Sequence, residues 1–458
     1  MRPHRTRLKD SRRIADSPCM HRGGTRLRRR VNALAITATL GISLLSGLLV
    51  LVPTANAVGA TPTHIDPTVG EAGTGMPALP VVVPKATSAK AIALRWSDVG
   101  PGDAWARPAI NFVGKDHDWM RDFAANGDGS YPFRPRMLET RKYFARAVVK
   151  AFAPDAGVDS SITFPDLDPT QSFYKWANIA VQKGWMRPVS DGRFLPDKPV
   201  TMVTVHRSIV LALGMRSTAN QINHLRTRDG VAFATPQNLG TTNLGNRLNL
   251  RYPSAEADHD VTPQSPMSRA QVAYSMYKAK TLASWVIPWI RDQYEGVVLP
   301  NMGPTRRAIV EWGLKYVGYP YVWAGEWGFD SPEPAALGGQ PIAGFDCSGL
   351  MWWLMREDDG GYWEISPPRP HRGWPLPQRG SADMARFGKL KWDALLPGDL
   401  AFYDGSGDGT VDHVDLYVGN GYALDSSTSV GGVTLMYVGP GSWYRDHFVH
   451  GRRLIPTK

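Results

Sequence analysis

Gly344-Phe345-Asp346-Cys347-Ser348-Gly349-Leu350-Met351-Trp352-Trp353-Leu354-Met355 decides how the last third of this 458-residue chain is read. An acid, a cysteine and two small residues run straight into an apolar segment, the pattern of a buried helix that starts at the cysteine. A thiol in that place sits at the positive end of the helix dipole beside free backbone N–H groups. Both favour thiolate over thiol, and the same amides can receive an oxyanion. The chain's other cysteine, Cys19, falls in a leader expected to be cut away, so the mature protein would carry one unpaired thiol. In an exported protein such a thiol is an intermolecular partner or a reactive group.

The leader is read from charge. Residues 1–30 hold eleven Lys and Arg against two Asp, so +9 of the formal +11 lies there, and residues 31–57 carry no charge. What is left for residues 58–458 is only +2, which removes the main support for a nucleic-acid partner. A basic run ending in Arg28-Arg29-Arg30, an apolar stretch over 31–52 and Pro53-Thr54-Ala55-Asn56-Ala57 make a signal peptide over 1–57, or a membrane anchor if it is left uncleaved. Residues 58–90, rich in Pro, Thr, Gly and Ala, have linker composition. The length predicts two or three domains, here repeats over 91–290, a connector over 291–303 and a C-terminal domain over 304–458.

The first half repeats itself. Trp96-Ser97-Asp98, Trp105-Ala106, Trp119-Met120-Arg121, Phe133-x-Pro135 and Thr140-Arg141 recur as Phe164-Pro165-Asp166, Trp176-Ala177, Trp185-Met186-Arg187, Phe194-x-Pro196 and Thr201-Met202. Each copy predicts one amphipathic helix, a Gly/Asp loop and a second helix capped by threonine, over 143–152 and 203–213. Met267-Ser268-Arg269-Ala270-Gln271 opens the same helix in a degraded third copy, ending near Leu282. One helical hairpin buries too little to stand alone, so three pack together. The tryptophans at helical spacing are read as core.

The pattern resembles the S-layer homology repeat. That resemblance implies an all-α three-unit domain binding a secondary cell-wall polymer through Thr140-Arg141 and Ser268-Arg269, with Met202 replacing the arginine in the second copy. An arginine beside a helix N-terminus suits an anion.

After the cysteine helix the pattern changes to strands. Pro397-Gly398-Asp399-Leu400-Ala401-Phe402-Tyr403 leads through a Gly/Asp loop to His413-Val414-Asp415-Leu416-Tyr417-Val418-Gly419, and the Asn420-Gly421 turn leads to Tyr422-Ala423-Leu424-Asp425. His413 and Asp425 would then lie on adjacent antiparallel strands. A thiolate nucleophile needs a base, and the carboxylate can fix that base's tautomer.

Tyr321-Val322-Trp323-Ala324-Gly325, the Asp-Cys-Ser-Gly stretch, Pro397-Gly398-Asp399-Leu400 and His413-Val414 through Gly421 together resemble the NlpC family of cell-wall cysteine peptidases, over about 150 residues. The resemblance implies an α+β papain-like fold, extending to a strand at Arg452-Arg453-Leu454. It also implies cleavage of amide bonds in peptidoglycan stem peptides, usually the bond between γ-D-glutamate and the diamino acid, by a protein secreted and associated with the wall. Carried over by motif, Cys347 is the nucleophile, His413 the base and acid, Asp425 the third member, and Tyr321 an aid to the oxyanion. Asp346 and Ser348 would contact the substrate peptide. No cofactor and no metal is implied. A muramoyl-L-alanine amidase, or a wall-anchored protein that binds stem peptide without cutting it, shares the same motifs.

Three departures from that family stand out. Residues 326–343 lengthen the loop before the cysteine into a possible lip over the site. Asp415 replaces a small residue and shares a strand face with His413, where it would raise the imidazole pKa. Finally, Asp404-x-Ser406-x-Asp408-Gly409-Thr410-Val411-Asp412-x-x-Asp415 has calcium-loop spacing but no flanking helices, and is read as a polar hairpin loop.

Overall fold

Asp98 and Asp166, the acids that open the two clear repeats, perform one task twice. Asp98 accepts hydrogen bonds from the N–H groups of Phe133 and Arg134 at 2.8 Å each, and Asp166 from those of Phe194 and Leu195 at 2.8 and 2.7 Å. Arg134 and Leu195 both take left-handed φ, +59° and +56°. The paired donors hold each Phe-x-Pro turn in a conformation that costs a side-chain-bearing residue energy. The computed structural model describes residues 94–253, 261–328, 331–335, 338–340, 342–355 and 376–457. The expected leader, Cys19 and the linker fall outside them.

In the first unit a 3-10 helix (Pro101–Ala106) runs into α1 (Arg107–Asn111) and a π-helical turn (Phe112–Asp116), then α2 (Arg141–Phe152) follows. The second unit is α3 (Tyr174–Gln182) with α4 (Met202–Ala212). After α5 (Arg216–Asn223), the third consists of α6 (Leu239–Arg247) with α7 (Arg269–Lys280). Asn249-Leu250-Arg251 stands where the other copies have Trp-Met-Arg. Leu250 N–H bonds to Gly245 O at 3.0 Å, just as Met120 bonds to Val113 and Met186 to Ala180 at 3.1 Å. This half of the third unit is invisible to pattern matching because the tryptophan is gone while the backbone turn is kept.

The three units close on one another. Glu139 N–H donates to Met267 O, Met267 to Val200 O, and Val200 to Glu139 O, at 2.9, 2.9 and 2.8 Å. The first free amides of each second helix then bond across to the next unit, Lys142 to Pro196 O, Val203 to Pro263 O and Ala270 to Pro135 O. That corrects the expected capping. Neighbouring carbonyls already satisfy amides a cap would serve, and Thr140 and Thr201 make no side-chain cap bond. Ser268 alone of the three forms a capping box, with Gln271.

The polymer-binding expectation is also corrected. Arg269 is wholly buried, donating to Phe133 O and Met120 O and paired with Asp122 (2.8 Å) and Glu139 (2.7 Å). Arg141 is buried as well, donating to Phe194 O at 2.6 Å and Arg187 O at 2.7 Å. Each guanidinium plugs into the Phe-x-Pro and Trp-Met-Arg turns of the neighbouring unit, so neither offers a free cation to a polymer. Thr140 and Ser268 beside them are ring and cap residues.

At the second copy Met202 leaves that socket without an arginine. There Arg251 reaches Met202 Sδ (2.8 Å) and the carbonyls of Val261 and Gly318. Gly318, at φ +95°, is pressed against Thr242 and Pro263 with no room for a side chain.

Beyond α8 (Val286–Tyr294) and α9 (Pro304–Leu314), two short antiparallel pairs form. β1 (Glu326–Trp327) pairs with β4 (Gly344–Phe345), and β2 (Ser331–Ala335) with β3 (Gly338–Gln340), so the lengthened loop folds partly as a hairpin. Then come α10 (Cys347–Met355), α11 (Ser381–Ala385), β5 (Leu400–Tyr403), β6 (His413–Gly419), β7 (Tyr422–Ser427), β8 (Gly432–Tyr437), α12 (Trp443–Asp446) and β9 (Phe448–Arg452). The final strand thus begins before the expected Arg452-Arg453-Leu454 and shares only Arg452 with it. The five-stranded antiparallel sheet has order β8-β7-β6-β5-β9. Every residue of β5, β6 and β7 is buried, with α10 packed on β6 and β7.

Strand β8 lies at the sheet edge, and α6 of the third repeat covers it. Asn243 exchanges bonds with Leu435, accepting from its N–H at 2.7 Å and donating to its carbonyl at 3.3 Å, and Asn246 donates to Val433 O at 3.0 Å. An exposed edge invites pairing with another chain, and these two amides occupy it instead. The repeats and the sheet are one packed body, not beads on a connector. Among the described residues no helix is long and apolar enough to cross a membrane.

Candidate active site

Asp346 precedes the first residue of α10 and caps the helix, with Oδ1 accepting from Gly349 N–H at 2.6 Å. Gly349 is required because Gly325 O and the Arg379 guanidinium press on it where a side chain would go. Cys347, half-buried, is therefore the first helical residue, as the sequence predicts. Ser426 Oγ on β7 holds Phe345 O at 2.7 Å, and Tyr321 runs parallel to Phe345 with its N–H on Gly431 O. These bonds bring Tyr321, the start of α10 and the β7 strand into one place.

Arg379 was not foreseen. Its Nε donates to Glu326 (2.7 Å), Nη1 to Asp346 (3.0 Å) and Ser348 Oγ (2.7 Å), and Nη2 to Asp346 and Gly325 O (3.0 Å each). Burial opposes its charge, but Asp346 and Glu326 outweigh that and hold its pKa above the usual value. Asp346 and Ser348 were expected to contact substrate. Their side chains are instead buried and committed to the helix cap and this guanidinium. No motif announces Arg379, which follows Pro377-Gln378 in a stretch with no periodicity.

His413 and Asp425 do lie on adjacent antiparallel strands across the Asn420-Gly421 turn, where both turn residues have positive φ. His413 Nε2 lies 2.9 Å from Asp425 Oδ1 and 3.0 Å from Asp415 Oδ1. Among the described residues its Nδ1 is buried without a hydrogen-bond partner. Burial disfavours the imidazolium, yet the two carboxylates outweigh it and hold His413 well above its usual pKa. The expected effect of Asp415 thus has its geometry. Asp425 in turn accepts from Tyr444 Oη at 2.5 Å, a contact made by α12 that the sequence gives no reason to expect.

The rest of the calcium-like string does not converge with Asp415. Asp404 accepts from Gly407 and Gly409 N–H, Asp412 from Gly405 and Ser406, and Asp408 from Thr410, so these acids cap their own loop. Among the described residues, the group with spacing for a metal ion is His413, Asp415 and Asp425, whose ligand atoms lie within 4.8 Å of one another. Asp399 of the Pro-Gly-Asp motif pairs with Arg453 at 2.6 Å and Arg306 at 3.2 Å, tying β5 to α9.

A thiol at a helix start, a histidine with one ring nitrogen held by carboxylates and a neighbouring tyrosine are set in the region that matches the family model for NlpC/P60 proteins, residues 318–453. Residues 318–453 form an NlpC/P60 domain. A bifunctional muramidase/DL-endopeptidase of Bacillus subtilis is 30% identical over 147 residues, 32% of this chain and 36% of that protein. A murein DD-endopeptidase of Escherichia coli is 30% identical over 145 residues, covering 32% and 44%. A γ-D-glutamyl-L-lysine dipeptidyl-peptidase of Bacillus subtilis is 31% identical over 136 residues, covering 29% and 36%. The chain therefore spans less than half the length of these relatives. Among solved structures, a P60 domain from Mycobacterium avium subspecies paratuberculosis is 30% identical, covering 33% of this chain and 98% of that one, with a TM-score of 0.22. In the NlpC/P60 domain of this chain, the matched segment begins at Gly318, the residue seated in the repeat socket.

Proposed function

We propose that the NlpC/P60 domain is a thiol peptidase that hydrolyses peptidoglycan stem peptides, with the γ-D-glutamyl–diamino acid bond as its target. The observation that carries this reading is His413, buried and held through Nε2 by Asp425, packed under the helix that Cys347 begins. With Nε2 engaged, Nδ1 is the nitrogen left to take the thiol proton and later return it to the leaving amine. Asp425 fixes the ring's tautomer and supports its charge, and Tyr444 fixes Asp425. The first amides of α10 receive the tetrahedral oxyanion, with Tyr321 beside them. Water then hydrolyses the thioester. The names of the relatives support the substrate class, and the γ-D-glutamyl-L-lysine dipeptidyl-peptidase supports cleavage at the D-glutamyl side.

A peptidoglycan substrate implies a protein working outside the membrane, at the wall. Arg141 and Arg269, both buried, leave the N-terminal units without these cations for a wall polymer. The test is incubation of the protein with purified peptidoglycan and mass spectrometry of the released fragments, with Cys347→Ser as control. Free L-Ala-γ-D-Glu ends are expected. Release of whole stem peptides from muramic acid would establish an amidase instead, and no release beyond the control would leave a binding protein.

A further inference from the structure

The imidazole of His413 meets two carboxylates through one atom. Asp415 Oδ1 and Asp425 Oδ1 both lie within 3.0 Å of Nε2, and all three side chains are buried. One N–H cannot satisfy two ionised acceptors equally. Among the described residues no Lys or Arg bonds to either carboxylate. Their other polar neighbours are the Tyr444 hydroxyl, which donates to Asp425, and the Tyr403 hydroxyl, which faces Asp415 outside hydrogen-bonding geometry. Continuing the β6–β7 register by one pair from Leu416↔Leu424 sets Asp415 directly across from Asp425, where like charges repel. Even an imidazolium would leave this cluster with a surplus negative charge in a dry interior. The usual resolution is to neutralise one group.

We propose that Asp415 and Asp425 hold one proton between them, so that Asp415 serves as a neutral, hydrogen-bonding positioning residue for His413 and not as a second counter-ion. The inference rests on the reading of His413 as the base. It explains how an acid is tolerated at a position where the resembled family has a small residue. Burial, reinforced by Asp425 and opposed by His413, pushes Asp415 up to about 8, so the proton is kept through neutral pH. Above that, the second negative charge tightens the hold on the imidazolium proton, and its transfer to the leaving amine slows.

Infrared spectroscopy of protein labelled with 13C-carboxyl aspartate tests this without any substrate. Glutamates, including the buried Glu139, stay silent under that label. A protonated-carboxyl C=O band is expected near neutral pH, disappearing as pH rises past about 8, and missing in Asp415→Asn. Its absence from the unaltered protein overturns the proposal. In activity, Asp415→Asn, a neutral isostere, should retain at least about tenfold more kcat/KM than Asp415→Ala; equal losses would make Asp415 an ionised counter-ion. If Asp415→Ala does not fold, the infrared result decides alone. Calorimetric binding of Zn2+ that is abolished by Asp415→Asn, with activity lost to chelator and restored by Zn2+, would mean that a cation and not a proton balances the charge. Failure to cut peptidoglycan would refute the peptidase reading while leaving the infrared band unaffected.

Discussion

Replacing Arg379 by methionine removes a guanidinium that serves two buried carboxylates and a carbonyl. Glu326 has no side-chain exposure and Asp346 has 12%, while Arg379 itself has 13%. Removing one partner of such a buried pair typically costs about 3–5 kcal/mol, because the remaining charges stay unpaired. For a cooperative unit of this size that is a fall in melting temperature of roughly 5 °C. The catalytic consequence is separable. Asp346 caps α10 through the oxygen that Arg379 Nη1 holds, so its release loosens the helix start that aims Cys347. Misplacing a nucleophile by about 1 Å is enough for a loss of roughly 10²-fold in kcat. Arg379→Lys keeps a charge but cannot bridge Glu326, Asp346 and Gly325 O together, so it should fall between. The assays are thermal melting and kcat on a stem peptide, normalised by thiol titration to count intact Cys347. An Arg379→Met protein that melts within about 1 °C of the original with kcat within about threefold would refute the clamp.

Arg269→Met, which strands Asp122 and Glu139, should destabilise by about 3–5 kcal/mol, measured by denaturant unfolding; a change within about 1 kcal/mol would show that the repeat ring does not depend on this plug. Stability should fall as pH rises from about 6.5 to about 8. Burial lifts Glu139 to about 7 and Asp415 to about 8, against their lower unfolded values. The folded state therefore binds more protons than the unfolded one, and His413, also raised, acts in the same direction. His206, lowered to about 3 by burial, opposes this only below its unfolded value, where stability gains as pH rises. Calorimetry across that range checks the sign, and Glu139→Gln should flatten the slope. Asn243→Leu leaves the Leu435 amide without its acceptor, at a cost of about 1–3 kcal/mol; hydrogen exchange at that amide should accelerate, and unchanged protection would mean that α6 does not hold β8.

The readings that held in the structure depend on neighbours in the chain. The helices expected over 143–152 and 203–213 form as α2 and α4, starting at Arg141 and Met202, and α7 starts at Arg269 as the local pattern predicts; the Asn420-Gly421 turn sets His413 and Asp425 on adjacent strands. Cys347 at the first position of its helix was equally legible, since Asp346 caps a group three residues away. The errors share one cause. Whether Arg141 and Arg269 face solvent or fill a neighbour's turn depends on units more than 40 residues distant. Arg379 reaches its partners over 31 to 54 residues, and Tyr444 reaches Asp425 from 19 residues downstream.

What the chain order settled by itself is therefore the helix pattern of the first half, the thiol at a helix start and the histidine on a strand beside an acid, because each is a matter of period or spacing. What tertiary structure alone decided is the use of the polar groups. A buried charge must be balanced where it lies, so three-dimensional packing turned the expected polymer-binding arginines into internal plugs, the expected substrate contacts of Asp346 and Ser348 into a clamp, and Asp415 into a second acid on the His413 imidazole.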